Sequence, residues 1–282
     1  MNILSTFFLL NLLFSIQSFA SSYKDLIPYI VPSPNQAHTD NCLYMAATGA
    51  MEILINKHFE IEEPGINGKY DFNELIALKG DLKESRSWFE NPVLRFNQGA
   101  LRNRDQAYKG SRFWNGTYRE KDLVAIPQVE TFWLLKTDGG SKEGRFSYDE
   151  FTHKSLDKIK NALTEYESPL LLIYRTAGKD RSYGYWNTWH TVVIVGFDDE
   201  MLLDEKCPLT EETATHIGDK GKRLLLKAIE REGGCSKKGA FIVRDSENPQ
   251  AGHTRIRPFI YLSYDDVRFL GTNVLQVRIK KD

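Results

Sequence analysis

From Leu43 to Leu54 the chain is mostly apolar, rich in Ala, Met and Leu, and free of Pro. A run of that length and composition predicts a buried helix rather than a short strand. Asp40 and Asn41 are N-cap residue types standing just ahead of it, so Cys42 falls in the first turn. A second helix is predicted within 148–166, where Phe151, Leu156, Ile159 and Leu163 recur at helical spacing with charges between them. Shorter apolar runs at Leu170–Tyr174, Thr191–Phe197 and Gly239–Arg244 read as buried strands. Pro258–Tyr264 and Asn273–Ile279 supply two more. Asp71–Leu78 is a candidate short helix, and 79–121 shows no clear period. Ahead of the first helix, Pro28, Pro32 and Pro34 make 23–34 an extended lead-in.

Residues 1–20 carry an apolar core from Phe7 to Phe14, too short to span a bilayer, and close on Ser18-Phe19-Ala20, a small-x-small cleavage pattern. The expectation is a cleaved signal peptide and an exported protein, secreted or periplasmic, with no membrane span once the signal is removed. The remaining chain suffices for one large domain or two lobes sharing a core. At 41% hydrophobic, 27% charged and net charge −1, disorder is excluded and no field for nucleic acid is present. Three cysteines fit an exported protein with one disulfide and one free thiol. Cys207 and Cys235 bracket a charged insertion, about 198–238, with helical pieces at Leu209–His216 and Lys222–Glu232. Pairing them staples its base, worth about 3–4 kcal/mol for a loop of that order. Pairing of Cys42 with either, or three reduced thiols, is the alternative.

The chemistry follows from three residues. A thiol at Cys42 feels the positive end of the helix dipole, which favours the nucleophilic thiolate. His190 opens the Thr191–Phe197 strand, and Asp245 ends the Gly239–Arg244 strand. Strands flanking an insertion pair most simply antiparallel, which brings His190 and Asp245 to one edge of the sheet. There Asp245 can fix the tautomer and orientation of the imidazole. The six His residues form no HExxH and no close Cys/His set, so no metal is expected. No nucleotide loop and no GxSxG elbow occurs, and no cofactor is called for.

Taken together these residues resemble the papain family of cysteine proteases. Gln36 stands six residues before Cys42, followed by Ala46-Ala47 and Ala50-Met51-Glu52 in the helix. The run from His190 through Val192 and Val195 to Gly196-Phe197 matches the family's histidine strand, and Ile242-Val243-Arg244-Asp245-Ser246 its third motif. Tyr261-Leu262-Ser263-Tyr264 resembles a late strand of the family. The resemblance implies an α+β, two-lobe fold: a helical lobe over about 36–145 led by the Cys42 helix, and a β lobe over about 146–282. It implies an exported thiol peptidase acting on a peptide or protein through a Cys42–His190–Asp245 triad and an acyl-enzyme, with Gln36 in the oxyanion hole. A related thiol amidase or acyltransferase, and a catalytically silent binding protein of the same fold, are the alternatives. The sequence departs from the family at Thr39, Leu43, Asp245 and Glu247, where the family has Cys, Trp, Asn and Trp.

Overall fold

The computed structural model describes residues 22–32, 41–65, 68–80, 82, 86–102, 117–136, 153–175, 189–202, 226–227, 229–231, 233–236, 238–246 and 259–281. The signal segment, Gln36, Cys207, the 209–216 helical piece and Glu247 lie outside them. In chain order the described elements are β1 (Ser22–Tyr23), α1 (Cys42–His58), α2 (Leu75–Lys79), α3 (Asn91–Leu94), β2 (Ala100–Leu101) and β3 (Leu123–Val124). They continue as β4 (Val129–Lys136), α4 (His153–Tyr166), β5 (Leu170–Arg175), β6 (Trp189–Leu202), β7 (Lys238–Arg244), β8 (Ile260–Ser263), α5 (Tyr264–Leu270) and β9 (Gly271–Ile279). This is the expected α+β architecture.

The predicted apolar run becomes α1, which extends one turn past Leu54 to His58. It is buried around its whole circumference from Met45 to Asn56, as its near-continuous apolar sequence requires. Helix α1 packs against β6, β5 and β9 on one side and against α2 and α3 on the other. It is therefore the layer between the small helices and the sheet.

The sheet is antiparallel with strand order β4-β9-β5-β6-β7-β8, and β1 adds to β6. Strands β5, β6 and β7 are its centre and carry the apolar runs Leu170–Tyr174, Val192–Val195 and Ala240–Val243, all buried. Two-sided burial explains why these runs are continuous rather than alternating. Strand β4 was not expected from the periodicity: Phe132 is exposed while its neighbours are half-buried, the mixed signature of an edge strand. It is held at its start by Asn97, whose side-chain amide donates to the Val129 carbonyl (2.9 Å) and accepts from the Val129 N–H (2.7 Å). Glu90 accepts from Ser87 (2.8 Å) and Thr131 (3.0 Å), tying the turn before α3 to the same strand. Helix α5 has no periodic signal in the sequence; Ser263 caps it by accepting from the Asp266 N–H at 3.0 Å.

The lead-in is not extended throughout, since Ile27–Tyr29 form a 3-10 turn with Pro28 near its start, and the segment is built into the core. Leu26 and Val31 are fully buried and Ile30 nearly so. Strand β1 pairs with β6 beyond the point where β5 ends, with Tyr23 opposite Phe197. A Cβ on Gly196 would stand 2.3 Å from the Tyr23 carbonyl oxygen, so this close approach needs glycine. Lys24 pairs with Asp198 at 2.7 Å. Among the described residues no helix is long and apolar enough to cross a membrane.

Leu26→Ala should therefore behave as a core deletion, lowering stability by about 2–5 kcal/mol. The check is a fall in the urea midpoint at unchanged m-value; a midpoint within error of the wild type would mean that the lead-in is a detachable segment.

Candidate active site

Cys42 is the first residue of α1, half-buried, and takes no part in a disulfide. The preceding residue, Asn41, is the N-cap as predicted, but its side chain makes no capping hydrogen bond. His190 lies next to the start of β6 and is 4% exposed. Asp245 follows the last residue of β7. In the β6–β7 register Arg244 stands opposite Val193, so His190 and Asp245 emerge at the same end of the strand pair. The antiparallel pairing inferred from sequence is the one observed.

Three scattered residues thus become neighbours. His190 Nε2 is 2.6 Å from Asp245 Oδ1, and the side chain of Cys42 hydrogen-bonds the same imidazole. With Nε2 engaged by the carboxylate, Nδ1 is the nitrogen left for the thiol. Tyr174, opposite His190 on β5, packs its ring edge-on to the imidazole at 5.8 Å between centroids and limits its rotation. Burial by itself disfavours a charged imidazole. The hydrogen bonds and negative charge of Asp245 and Cys42 outweigh it and raise the pKa of His190 to about 10. At neutral pH the ring is an imidazolium flanked by a carboxylate and a sulfur, and its Nδ1 proton can be delivered to an atom bonded to that sulfur.

A second set of contacts, less visible in the sequence, joins the two elements that carry the site. Arg244 is 3% exposed and reaches from β7 to α1. Its Nη2 donates to Glu52 Oε2 at 2.7 Å, its Nη1 to the Met45 carbonyl at 3.2 Å, and its Nε to the Val31 carbonyl at 2.9 Å. Glu52 also accepts the Phe72 N–H at 2.8 Å through Oε1. Gly49 lets the guanidinium in: a Cβ there would stand 1.9 Å from Nη1. The signal for this was one charge, Glu52, and one glycine, Gly49, within the mostly apolar 43–54 run, and an arginine closing an apolar strand. Glu52 belongs to the helix pattern itself, but its partner is fixed by tertiary packing alone.

Gln36 and Cys207 lie outside the described residues, so their expected roles in the oxyanion hole and in a disulfide with Cys235 remain expectations. Among the described residues no group of three His, Cys, Asp or Glu side chains is arranged to hold a metal ion.

The raised pKa of His190 has a stability consequence. The folded protein holds a proton that the unfolded chain releases near pH 6.5, so the contribution is complete below that pH and is lost as pH rises through about 10. Asp245→Asn keeps an acceptor but removes the charge, so the stability decline between those limits should flatten and shift to lower pH. Urea unfolding across pH 6–10 measures this, and identical slopes in wild type and variant would refute it.

No protein-family profile matches the chain. No curated protein matches its sequence. Its structure, however, is similar to several solved ones. The cysteine protease and lectin-like domains of Cwp84, a surface layer associated protein of Clostridium difficile, superpose with TM-score 0.52 at 16% identity, over 93% of this chain and 53% of that one. The present chain thus spans about half the length of that protein. The bromelain protease from Ananas comosus, solved with the E64 inhibitor, gives 0.52 at 13% identity over 92% and 99% of the two chains. Digestive procathepsin L2 from the larval midgut of Tenebrio molitor gives 0.52 at 11% over 95% and 70%. With its buried helix laid on an antiparallel sheet, and with these neighbours, the chain has the papain-like cysteine-protease fold.

Proposed function

We propose that this chain is an exported thiol peptidase that hydrolyses peptide bonds through Cys42, His190 and Asp245. The observation that carries the reading is the imidazole of His190 bonded at once to Asp245, at 2.6 Å, and to the side chain of Cys42. A thiolate held beside an imidazolium is both nucleophilic and next to a proton donor. The steps follow from that pair. The Cys42 sulfur attacks the substrate carbonyl carbon, and the carbonyl oxygen becomes an oxyanion. Collapse of this intermediate expels the amine, which takes the proton from His190 Nδ1, and leaves a thioester on Cys42. The now neutral imidazole withdraws a proton from water as it attacks the thioester. Hydrolysis releases the acid and restores the thiolate–imidazolium pair. Asp245 keeps Nε2 engaged throughout and stabilises the charged ring.

Gln36 and the Cys42 N–H are assigned to the oxyanion, on the spacing that Gln36 shares with the papain family. Residues 1–20 are assigned as the export signal, and Cys207–Cys235 as the disulfide, in keeping with the absence of Cys42 from any disulfide. Peptide or protein is the substrate class, by likeness of fold to a digestive procathepsin and to bromelain.

Cys42→Ala should fold with an unchanged melting curve, yet lose turnover of peptide substrates and all covalent labelling by the E64 inhibitor. Since triad residues act as a unit, His190→Ala should lose comparable activity, on the order of 10⁴-fold or more, rather than a fraction of it. Retention of full peptidase activity in Cys42→Ala would sink the assignment. A wild type that neither turns over peptides nor labels would identify a silent binding protein of the same fold.

A further inference from the structure

We propose that Arg244 is a positioning residue of the triad: by binding Glu52 and the Met45 carbonyl on the nucleophile's own helix, it sets where Asp245 stands relative to Cys42. The inference rests on the Cys42–His190–Asp245 reading and deepens it.

Arg244 and Asp245 are consecutive, so their Cα atoms are about 3.8 Å apart and locating one locates the other. Two of the Arg244 acceptors belong to α1: the Met45 carbonyl, three residues after Cys42, and the Glu52 carboxylate on the same helix. A third, the Val31 carbonyl, belongs to the lead-in that approaches that helix. The guanidinium is planar and its donors diverge at fixed angles, so three acceptors in different directions leave it little freedom to slide. Gly49 closes the remaining freedom from below, since the Arg244 nitrogen lies against its Cα hydrogens. Glu52 is in turn held by the Phe72 N–H. The chain of fixed contacts therefore runs from Cys42 through α1 to Arg244, then through one peptide bond to Asp245 and His190.

Charge adds a second effect. The guanidinium sits one residue from the carboxylate that must serve His190. With Glu52 neutralising it, no net positive charge is added next to the imidazole. Among the described residues, Asp245 from the end of β7, Cys42 from α1 and the Tyr174 ring from β5 face His190. Loss of the Glu52 charge would add a net positive charge to that surrounding and favour the neutral imidazole. A buried pair serving only stability would have neither consequence; apolar residues of similar volume often replace such a pair without loss.

Four variants of the full chain test this: Arg244→Lys, Gly49→Ala, Gly49→Ala/Arg244→Lys, and the apolar replacement Arg244→Met/Glu52→Leu. The readouts are kcat and KM on a peptide substrate, the pH dependence of Cys42 alkylation by iodoacetamide, and the thermal melt. Arg244→Lys should lower kcat about 10–100-fold with little change in KM, the size expected for displacement of a reacting group by about an ångström. Its alkylation profile should shift as well. Gly49→Ala should lose activity in the same way although alanine is the better helix former. The double variant should recover part of that loss, because the slimmer lysine vacates the space that the new methyl takes. Arg244→Met/Glu52→Leu should melt cooperatively and remain impaired in kcat. The proposal is overturned if Arg244→Lys, or the folded apolar replacement, keeps the wild-type kcat and alkylation profile, or if the variants lose melting temperature alone. Alkylation of the wild type as an ordinary thiol would instead bring down the peptidase reading on which the proposal stands.

Discussion

The buried contact between Arg244 and Glu52 is the constraint on which the rest of the structure depends. Two side chains, each 2% exposed, carry opposite charges across the boundary between α1 and the central sheet. Such a pair is costly to bury and tolerable only when nearly every donor and acceptor is met. Here the surrounding backbone meets them: Val31 from the lead-in, Met45 from the helix, and Phe72 from the segment that follows. The geometry that satisfies the charges therefore also fixes how the lead-in, α1 and β7 fit together. An apolar contact could hold the same surfaces at comparable energy, but it would not specify the register of helix against strand as closely.

His190 shows the opposite use of burial. Its ring is nearly as hidden as Arg244, yet it is held charged by a carboxylate and a sulfur rather than satisfied by backbone. Removing water strengthens both interactions, because the screening that would weaken them is absent. The Asp at 245, where the papain family has Asn, makes the environment more favourable to the imidazolium. The carboxylate and the sulfur thus raise the pKa of a buried ring that burial alone would lower.

Much of this architecture is legible in the residues. The apolar run after Cys42 reads as a buried helix, and the β-branched run at 191–197 and the apolar run at 239–244 read as strands. Antiparallel pairing across an insertion, the simplest arrangement of two such strands, brings His190 and Asp245 to one edge of the sheet. Less regular elements escaped. Strand β4 has an exposed Phe132 among half-buried neighbours and is defined by its pairing with β9 and by the Asn97 contact, not by any period of its own. Helix α5 spans only seven residues between two strands, too few for a periodic signal. Gly196 was read as part of a motif, but its reason, the Tyr23 carbonyl packed where a Cβ would be, exists only once β1 lies against β6.

At Cys42, His190 and Asp245 the division is equally physical. Residue type and local pattern by themselves determined the chemistry on offer: a thiol at a helix start, an imidazole at a strand start and a carboxylate at a strand end. These are local properties, set by propensity and by the alternation of polar and apolar positions. Distances between them are not local. That Nε2 faces Asp245, that the thiol reaches the same ring, and that an arginine beside the acid is bound to the helix that carries Cys42 were decided only by tertiary packing. Contacts between residues nearly two hundred positions apart depend on the whole core closing at once, and no short window of sequence contains them.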